Sequence, residues 1–414
     1  MKKFILLFVT LLSVSVTAQK KHKSLFIETH QFPDSNKVFV YVSYKIPYNQ
    51  ILFVKKGVQF EGGINFSIEA VKNGNVISRE FSNKMFYADN YEKTKSEKDF
   101  ANGLLMLKLK TGQYNLIPEI ILKNTNLSSK LKPIHITINT DSVHSFLKPI
   151  VVSNELIDSS GIKKYKLVNI NEFIPFSKNN YGLVIPTKTG LSNVHVTIEQ
   201  NSSEIVDTLL NEPIMKNCEI VDDGKNIIID DSKKLLDYKC FYLNNFSYKL
   251  EEGKFKVTLE SGSVKENYVM EVYWLDKPFS LFNVEFSVKL LDVIGKEKAA
   301  DRIFSFPKEE YYKALVEFWN KNFPTKGFAF NDAMFEFYKR ADYAIKNFAA
   351  IGKKNGVKTD RGKIYLIYGA PDKIKRRYTE MNNIEEIWHY NKLNKVFVFS
   401  DKSGLGNFVL IGKK

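Results

Sequence analysis

A sharp shift of composition near residue 296 limits what this 414-residue chain can become. Ahead of it, β-branched and aromatic residues come in short runs broken by Gly, Asn, Asp and Ser. Val38 to Tyr44, Ile64 to Ala70 and Leu104 to Leu109 alternate in part, as half-buried strands do. Lys56-Gly57 and Asn73-Gly74-Asn75 punctuate them as turns. With Leu116 to Leu122 and Ile134 to Ile138, about seven strands at this spacing predict an Ig-like β-sandwich. Tyr181 to Pro186, Val194 to Glu199, Lys254 to Glu260, Tyr268 to Trp274 and Val284 to Val288 predict a second one.

Past Ser305 the apolar residues recur every three to four positions. Pro307 with Glu309 and Glu310 opens a helix, and Tyr311, Leu315, Phe318 and Trp319 share one of its faces. Asn331 is placed to cap a second helix carrying Met334, Phe337, Tyr338, Ala341, Ile345 and Phe348. Lys363 to Tyr368, Glu386 to Tyr390, Lys395 to Ser400 and Phe408 to Ile411 read as strands. The expected fold is therefore mainly β, two sandwiches followed by an α+β module of two helices on a small antiparallel sheet. Its expected limits are a leader at 1–18, sandwiches at 19–145 and 146–295, and the module at 296–414.

The leader is a basic Met1-Lys2-Lys3, an apolar run from Phe4 to Val16, and Thr17-Ala18-Gln19. Those are the parts of a secretory signal peptide, cut after Ala18, and the run is shorter than the roughly 20 residues a spanning helix needs. No Cys lies near the cut to accept a lipid. The mature chain is expected to be exported, soluble, and periplasmic or outer-membrane-associated. The formal net charge is +15, and residues 296–414 hold 24 basic against 14 acidic side chains. Export argues against nucleic acid as the counterpart of that charge. An envelope protein, an acidic glycan or lipid headgroups fit better. The two cysteines, Cys218 and Cys240, are expected to pair in an oxidising compartment, closing a loop that stabilises by roughly 3 kcal/mol in the chain-entropy model.

The densest set of turn and polar residues is Gly356-Val357-Lys358-Thr359-Asp360-Arg361-Gly362, followed by Gly369-Ala370-Pro371-Asp372. Thr359 and Asp360 can accept local backbone N–H groups, Arg361 can fork onto a carboxylate, and the glycines permit tight backbone. The stretch reads as a polar staple at a helix–loop–strand corner. It resembles the signature of the GWxTD domain, a C-terminal module of exported bacterial proteins with no activity established for the family. The resemblance is specific over roughly 302–414. It takes in Phe318-Trp319, Asn331, Tyr338-Lys339-Arg340 and Ile387-Trp388-His389-Tyr390. The family's Trp is Val357 here, which removes any role resting on an indole at that position.

Other chemistry is sparse. His22, His30, His135, His144, His195 and His389 are scattered, so no local metal pair exists, and no metal or cofactor is expected. P-loop, G-x-G-x-x-G, C-x-x-C and G-x-S-x-G motifs are absent from the sequence. Asp222-Asp223-Gly224 and Asp230-Asp231 lack calcium-loop spacing and read as turn residues. Asp360, Asp372 and His389 are the best acid–base set, for a hydrolase acting on a glycan or peptide. Lys373, Lys375, Arg376 and Arg377, beside Tyr378, are the candidate anion-binding cluster. A non-catalytic envelope interaction protein is the favoured expectation, and the hydrolase is its rival.

Overall fold

The computed structural model describes residues 25–34, 36–125, 127–139, 145–157, 163–188, 190–231, 238–350, 355–379 and 383–413. The leader and its cleavage site lie outside them. The described residues are mainly strand, and the chain divides into two compact units.

In the first unit, Phe26–Asp34, Lys37–Pro47 and Phe100–Leu109 form an antiparallel sheet with Lys37–Pro47 at its centre. A second sheet is built on Gln59–Lys72, which pairs with Asn75–Ala88, Gly112–Leu122 and Phe53–Lys56. Alternate side chains of the two sheets meet in one core. Val38, Val40, Val42 and Tyr44 pack with Ile64, Phe66, Ile68 and Ala70, the Tyr44 and Phe66 rings 4.3 Å apart. Period-2 patterning thus yields a sandwich, as the sequence predicts. Lys163–Leu167, Cys218–Asp222 and Ile227–Asp231 add an antiparallel trio to this unit.

The second unit contains a sheet of Ile150–Ile157, Gly182–Lys188 and Tyr238–Leu243. It also contains a five-stranded sheet in which Val194–Gln200, Ser203–Leu210, Gly253–Ser261 and Val264–Tyr273 are antiparallel and Ile174–Pro175 joins in parallel. Its C-terminal part carries the helices Val284–Lys289, Glu297–Phe304, Tyr311–Asn322, Asp332–Asn347 and Asp360–Tyr368. They share an apolar cluster with a four-stranded antiparallel sheet ordered Lys373–Tyr378, Ile384–Tyr390, Lys395–Asp401, Val409–Lys413. Neither cysteine is free: Cys218 and Cys240 are disulfide-bonded.

Two segments expected to be strands are helices. Val284 to Val288 alternates like a strand, but Asn283 accepts from Phe286 N at 3.0 Å and caps a helix there. Lys363 to Tyr368 is rich in β-formers, yet it completes the helix Asp360–Tyr368. Thr359 Oγ1 caps that helix, accepting from Gly362 N at 3.1 Å and donating to Gly356 O at 2.7 Å. The cap starts a helical turn that Leu366, buried, and Tyr365, stacked on Tyr343 at 4.5 Å, then hold by packing. The corner is therefore helix–loop–helix.

Two glycines make that corner possible. A Cβ on Gly356 would stand 2.0 Å from Ala344 O, and one on Gly362 would stand 1.9 Å from Gly356 O. Gly362→Ala should destabilise the C-terminal cluster by about 3 kcal/mol, because backbone rather than a mobile side chain must move. Gly190→Ala, where a Cβ meets open space, should stay within about 0.5 kcal/mol of the parent. All three tryptophans lie in the C-terminal cluster, so their fluorescence on denaturant unfolding checks both. A Gly362→Ala transition that coincides with the parent's contradicts the close-packing account.

Candidate functional site

The signature residues lead to a buried carboxylate. Ile384, Glu386, Trp388 and Tyr390 point to the same face of their strand, toward the helices. Trp388 is 1% exposed and Glu386 2%. Glu386 Oε2 accepts from Arg361 Nη1 and from Trp388 Nε1, each at 3.2 Å. Its Oε1 accepts from Arg376 Nε at 2.7 Å, and Arg376 Nη2 lies 2.6 Å away. Arg376 is directly opposite Glu386 in the strand register, as Arg377 is opposite Glu385, which it pairs at 2.7 Å. One buried carboxylate thus joins a helix, a strand edge and an indole.

Arg361 is held on its other sides too. Its guanidinium lies 3.9 Å over the Phe408 ring and 5.2 Å from Phe348, and Nη2 donates to Gly406 O at 3.3 Å. Burial pushes its pKa down while Glu386 pushes it back up. The turn that presents Gly406 is shaped by Asp401. Asp401 accepts from Ser403 N at 3.2 Å, Ser403 Oγ at 2.9 Å and Gly406 N at 2.7 Å. Burial disfavours the Asp401 charge, but those donors win and hold its pKa below the ordinary carboxylate range.

The other signature positions also face inward. Val357 is fully buried in the apolar cluster. Asn355 Oδ1 accepts from Val357 N at 3.1 Å. Asp360 is half-buried, and its Oδ2 accepts from Leu410 N, 50 residues away, at 2.9 Å. The neighbouring Arg361 turns instead to Glu386, while Arg340 bonds Glu336 at 2.8 Å and Ile367 O at 3.1 Å. Gly369 has φ +78° and its carbonyl accepts from Tyr390 Oη at 2.8 Å. Gly369 and Pro371 lead the chain from the helix into Lys373–Tyr378.

The structure brings two of the three acid–base candidates together. Asp372 N donates to His389 O at 2.8 Å, and the Asp372 carboxylate accepts from Asn391 N at 2.6 Å. His389 Nε2 is buried with no hydrogen-bond partner. Asp360, by contrast, is committed to the edge strand at the far side of the sheet from Lys373–Tyr378. Lys373, Lys375, Arg376 and Arg377 share that other edge strand, in which every residue is exposed. Among the described residues no group of three or more His, Cys, Asp or Glu side chains is placed to hold a metal ion, and no helix is long and apolar enough to cross a membrane.

Sequence reasoning missed Glu386, Asp401 and Phe408. A signal for Glu386 existed. In Ile384-Glu385-Glu386-Ile387-Trp388-His389-Tyr390 the alternation places Glu386 on the apolar face with Trp388. A carboxylate there needs a cation, and Arg361 is the cation the signature supplies.

A helical layer on a small antiparallel sheet, following β-rich sequence, defines a mainly-β protein with a C-terminal α+β module. The chain carries a GWxTD domain, whose family model matches residues 288–410. No curated protein matches the chain at a significant level. Among solved structures, a purple acid phosphatase from yellow lupin (Lupinus luteus) seeds aligns at 10% identity over 60% of this chain, with a TM-score of 0.17. The alignment takes in 41% of that protein's length, and a likeness this distant carries no argument.

The geometry ranks the charges. Glu386→Gln leaves the Arg361 guanidinium buried without its counter-ion and should cost about 3–5 kcal/mol. Arg376→Gln removes a partner whose side chain is 70% exposed and should cost below about 1 kcal/mol. Denaturant unfolding followed by tryptophan fluorescence tests the order, and equal losses contradict it. Because the folded-state pKa of Asp401 is depressed, its contribution is present above the ordinary carboxylate range and disappears as pH falls through the folded value. Asp401→Asn should accordingly flatten the acid limb of stability against pH, measured by the same fluorescence.

Proposed function

We propose that this chain is a non-catalytic interaction protein of the cell envelope, and that its GWxTD domain receives an extended acidic segment of a protein partner along Lys373–Tyr378. The carrying observation is that edge strand, exposed at every residue and paired only with Ile384–Tyr390 among the described strands. An unpaired strand edge offers backbone donors and acceptors to an added strand, and side chains on both faces choose the partner. Here Lys373 and Lys375 supply positive charge, while Ile374 and Tyr378, 50% and 75% exposed, supply apolar contact. Arg376 and Arg377 stay over 60% exposed while bound to Glu386 and Glu385, so the strand is held rigid as it faces outward. The signal-peptide pattern at 1–18 and the disulfide support export, to the periplasm or the outer-membrane surface.

The rival hydrolase draws on Asp372 and on the unsatisfied His389 nitrogen. It loses its third member, because the Asp360 carboxylate is occupied by Leu410 N. The signature residues serve to build the domain, and the binding reading needs nothing more from them.

The test is fluorescence anisotropy of the mature full-length chain with a labelled peptide of alternating Glu and Val. Saturable binding that weakens as salt rises, and at least tenfold in Lys373→Glu/Lys375→Glu, is the expected result. Asp372→Asn and His389→Gln should bind like the parent. Binding of heparin or of anionic vesicles with none of the peptide would replace the protein partner by a glycan or a lipid surface. Loss of function in the Asp372 and His389 variants alone would favour the hydrolase.

A further inference from the structure

The two edges of the GWxTD sheet are built differently. Lys373–Tyr378, at one end of the strand order, pairs with its neighbour without a break in register over six residues. Val409–Lys413, at the other end, does not. Its register passes from Val398 opposite Gly412 to Phe399 opposite Leu410, so Ile411 is the extra residue of a bulge. Among the described strands it pairs only with Lys395–Asp401. An edge strand directs alternate N–H and C=O groups away from its neighbour, where another strand can take them up. Leu410 N is turned out of the ladder in this way, and it is already occupied. Asp360 Oδ2, 50 residues away in the chain, accepts from it at 2.9 Å.

The side chains of this edge favour pairing with a second copy of the chain. Val409 is 45% exposed and Ile411 52%, and Lys413 is the strand's only charged residue. Antiparallel self-pairing centred on Ile411 would oppose Ile411 to Ile411, Leu410 to Gly412 and Val409 to Lys413. No like charges meet in that register, and the Lys413 stem can lie along Val409. Self-pairing of Lys373–Tyr378 about its midpoint would instead oppose Lys375 to Arg376, which is unfavourable. The apolar edge is therefore the self-complementary one. Natural sheets protect such edges with a bulge or by covering them. Val409–Lys413 has the bulge, and the Asp360 carboxylate stands where an incoming strand would place a carbonyl. Two acceptors cannot share the Leu410 N–H at full strength, and they repel each other.

We propose that Val409–Lys413 is a self-association edge held shut by Asp360, so that the signature's carboxylate keeps the chain from pairing through this strand with a second copy of itself. The contact is autoinhibitory: it occupies an outward donor of the strand that a partner copy would need. Its charge adds to the barrier, because an apolar strand laid over it would have to take the carboxylate out of water. The proposal concerns the edge opposite Lys373–Tyr378 and does not rest on the function proposed for that strand.

Asp360→Ser tests it. Serine suits a helix start, and its hydroxyl is too short to reach Leu410 N as the carboxylate does. Sedimentation velocity of the oxidised full-length chain, followed across a wide range of concentration, should show self-association at least tenfold tighter than the parent's. Hydrogen exchange read by mass spectrometry should slow over 409–413 as concentration rises in Asp360→Ser and stay constant in the parent. Asp360→Asn keeps an acceptor within reach of Leu410 N and should behave like the parent. Adding Ile411→Lys to Asp360→Ser should restore the parent's sedimentation, since self-pairing would then set two lysines against each other. A parent-like Asp360→Ser, association that Ile411→Lys does not reverse, or association without slowed exchange over 409–413 overturns the proposal. Loss of the parent's cooperative unfolding transition in Asp360→Ser overturns it too, because the carboxylate would then build the domain rather than guard its edge.

Discussion

The C-terminal region depends on the ion pair between Arg361 and Glu386. Both groups are almost fully withdrawn from water, at side-chain exposures of 10% and 3%. Two buried charges are tolerated only when the remaining donors and acceptors are also met. The surrounding structure meets most of that requirement. Trp388 and Arg376 complete the carboxylate, and Phe408 and Gly406 O cover the guanidinium. The Asp401 turn then has to hold Gly406 in place, and Thr359 has to start the helix that carries Arg361. Arg361 Nε alone stays unsatisfied among the buried atoms of this group.

This dependence explains why the signature contains the residue types it does. Gly356 lies close against Ala344, and Gly362 lets the capped helix lie close against Gly356 in turn. Thr359 fixes the first turn. Asp360 then reaches across to Leu410 on the sheet's far edge strand while Arg361 reaches to Glu386 on an inner strand. Adjacent residues at a helix start point in different directions, and here the two directions clamp two strands of one sheet. A Trp is not required for any of these contacts. Val357 fills its place by apolar packing alone.

Much of this was legible from residue order, and the exceptions have physical causes. The alternation in Val38 to Tyr44 and Ile64 to Ala70 forms strands because one face of each has a sheet to pack against. Asn331 caps its helix as its position implied, accepting from Met334 N at 2.9 Å. Lys363 to Tyr368 misled because local β-propensity is weak beside a cap and a ready packing surface. Val284 to Val288 misled for the same reason, with Asn283 as the cap. The ion pair was half legible. Arg361 called for a carboxylate, and the alternation around Trp388 marked Glu386 as inward, but only the fold brings positions 361 and 386 together.

Basic charge in this chain therefore has two different meanings. Arg361 is buried and structural. Arg376 and Arg377 are anchored at one end by acids across the strand and exposed at the other, so they stiffen an edge while keeping it cationic. A count of formal charge treats these alike, although only the second can attract a partner. The excess of 24 basic over 14 acidic residues at 296–414 is thus an incomplete guide to where anions bind. Among the described residues, an accessible row of cations lies along one strand of the GWxTD domain. An unpaired strand edge is shaped for an extended chain rather than a compact ligand.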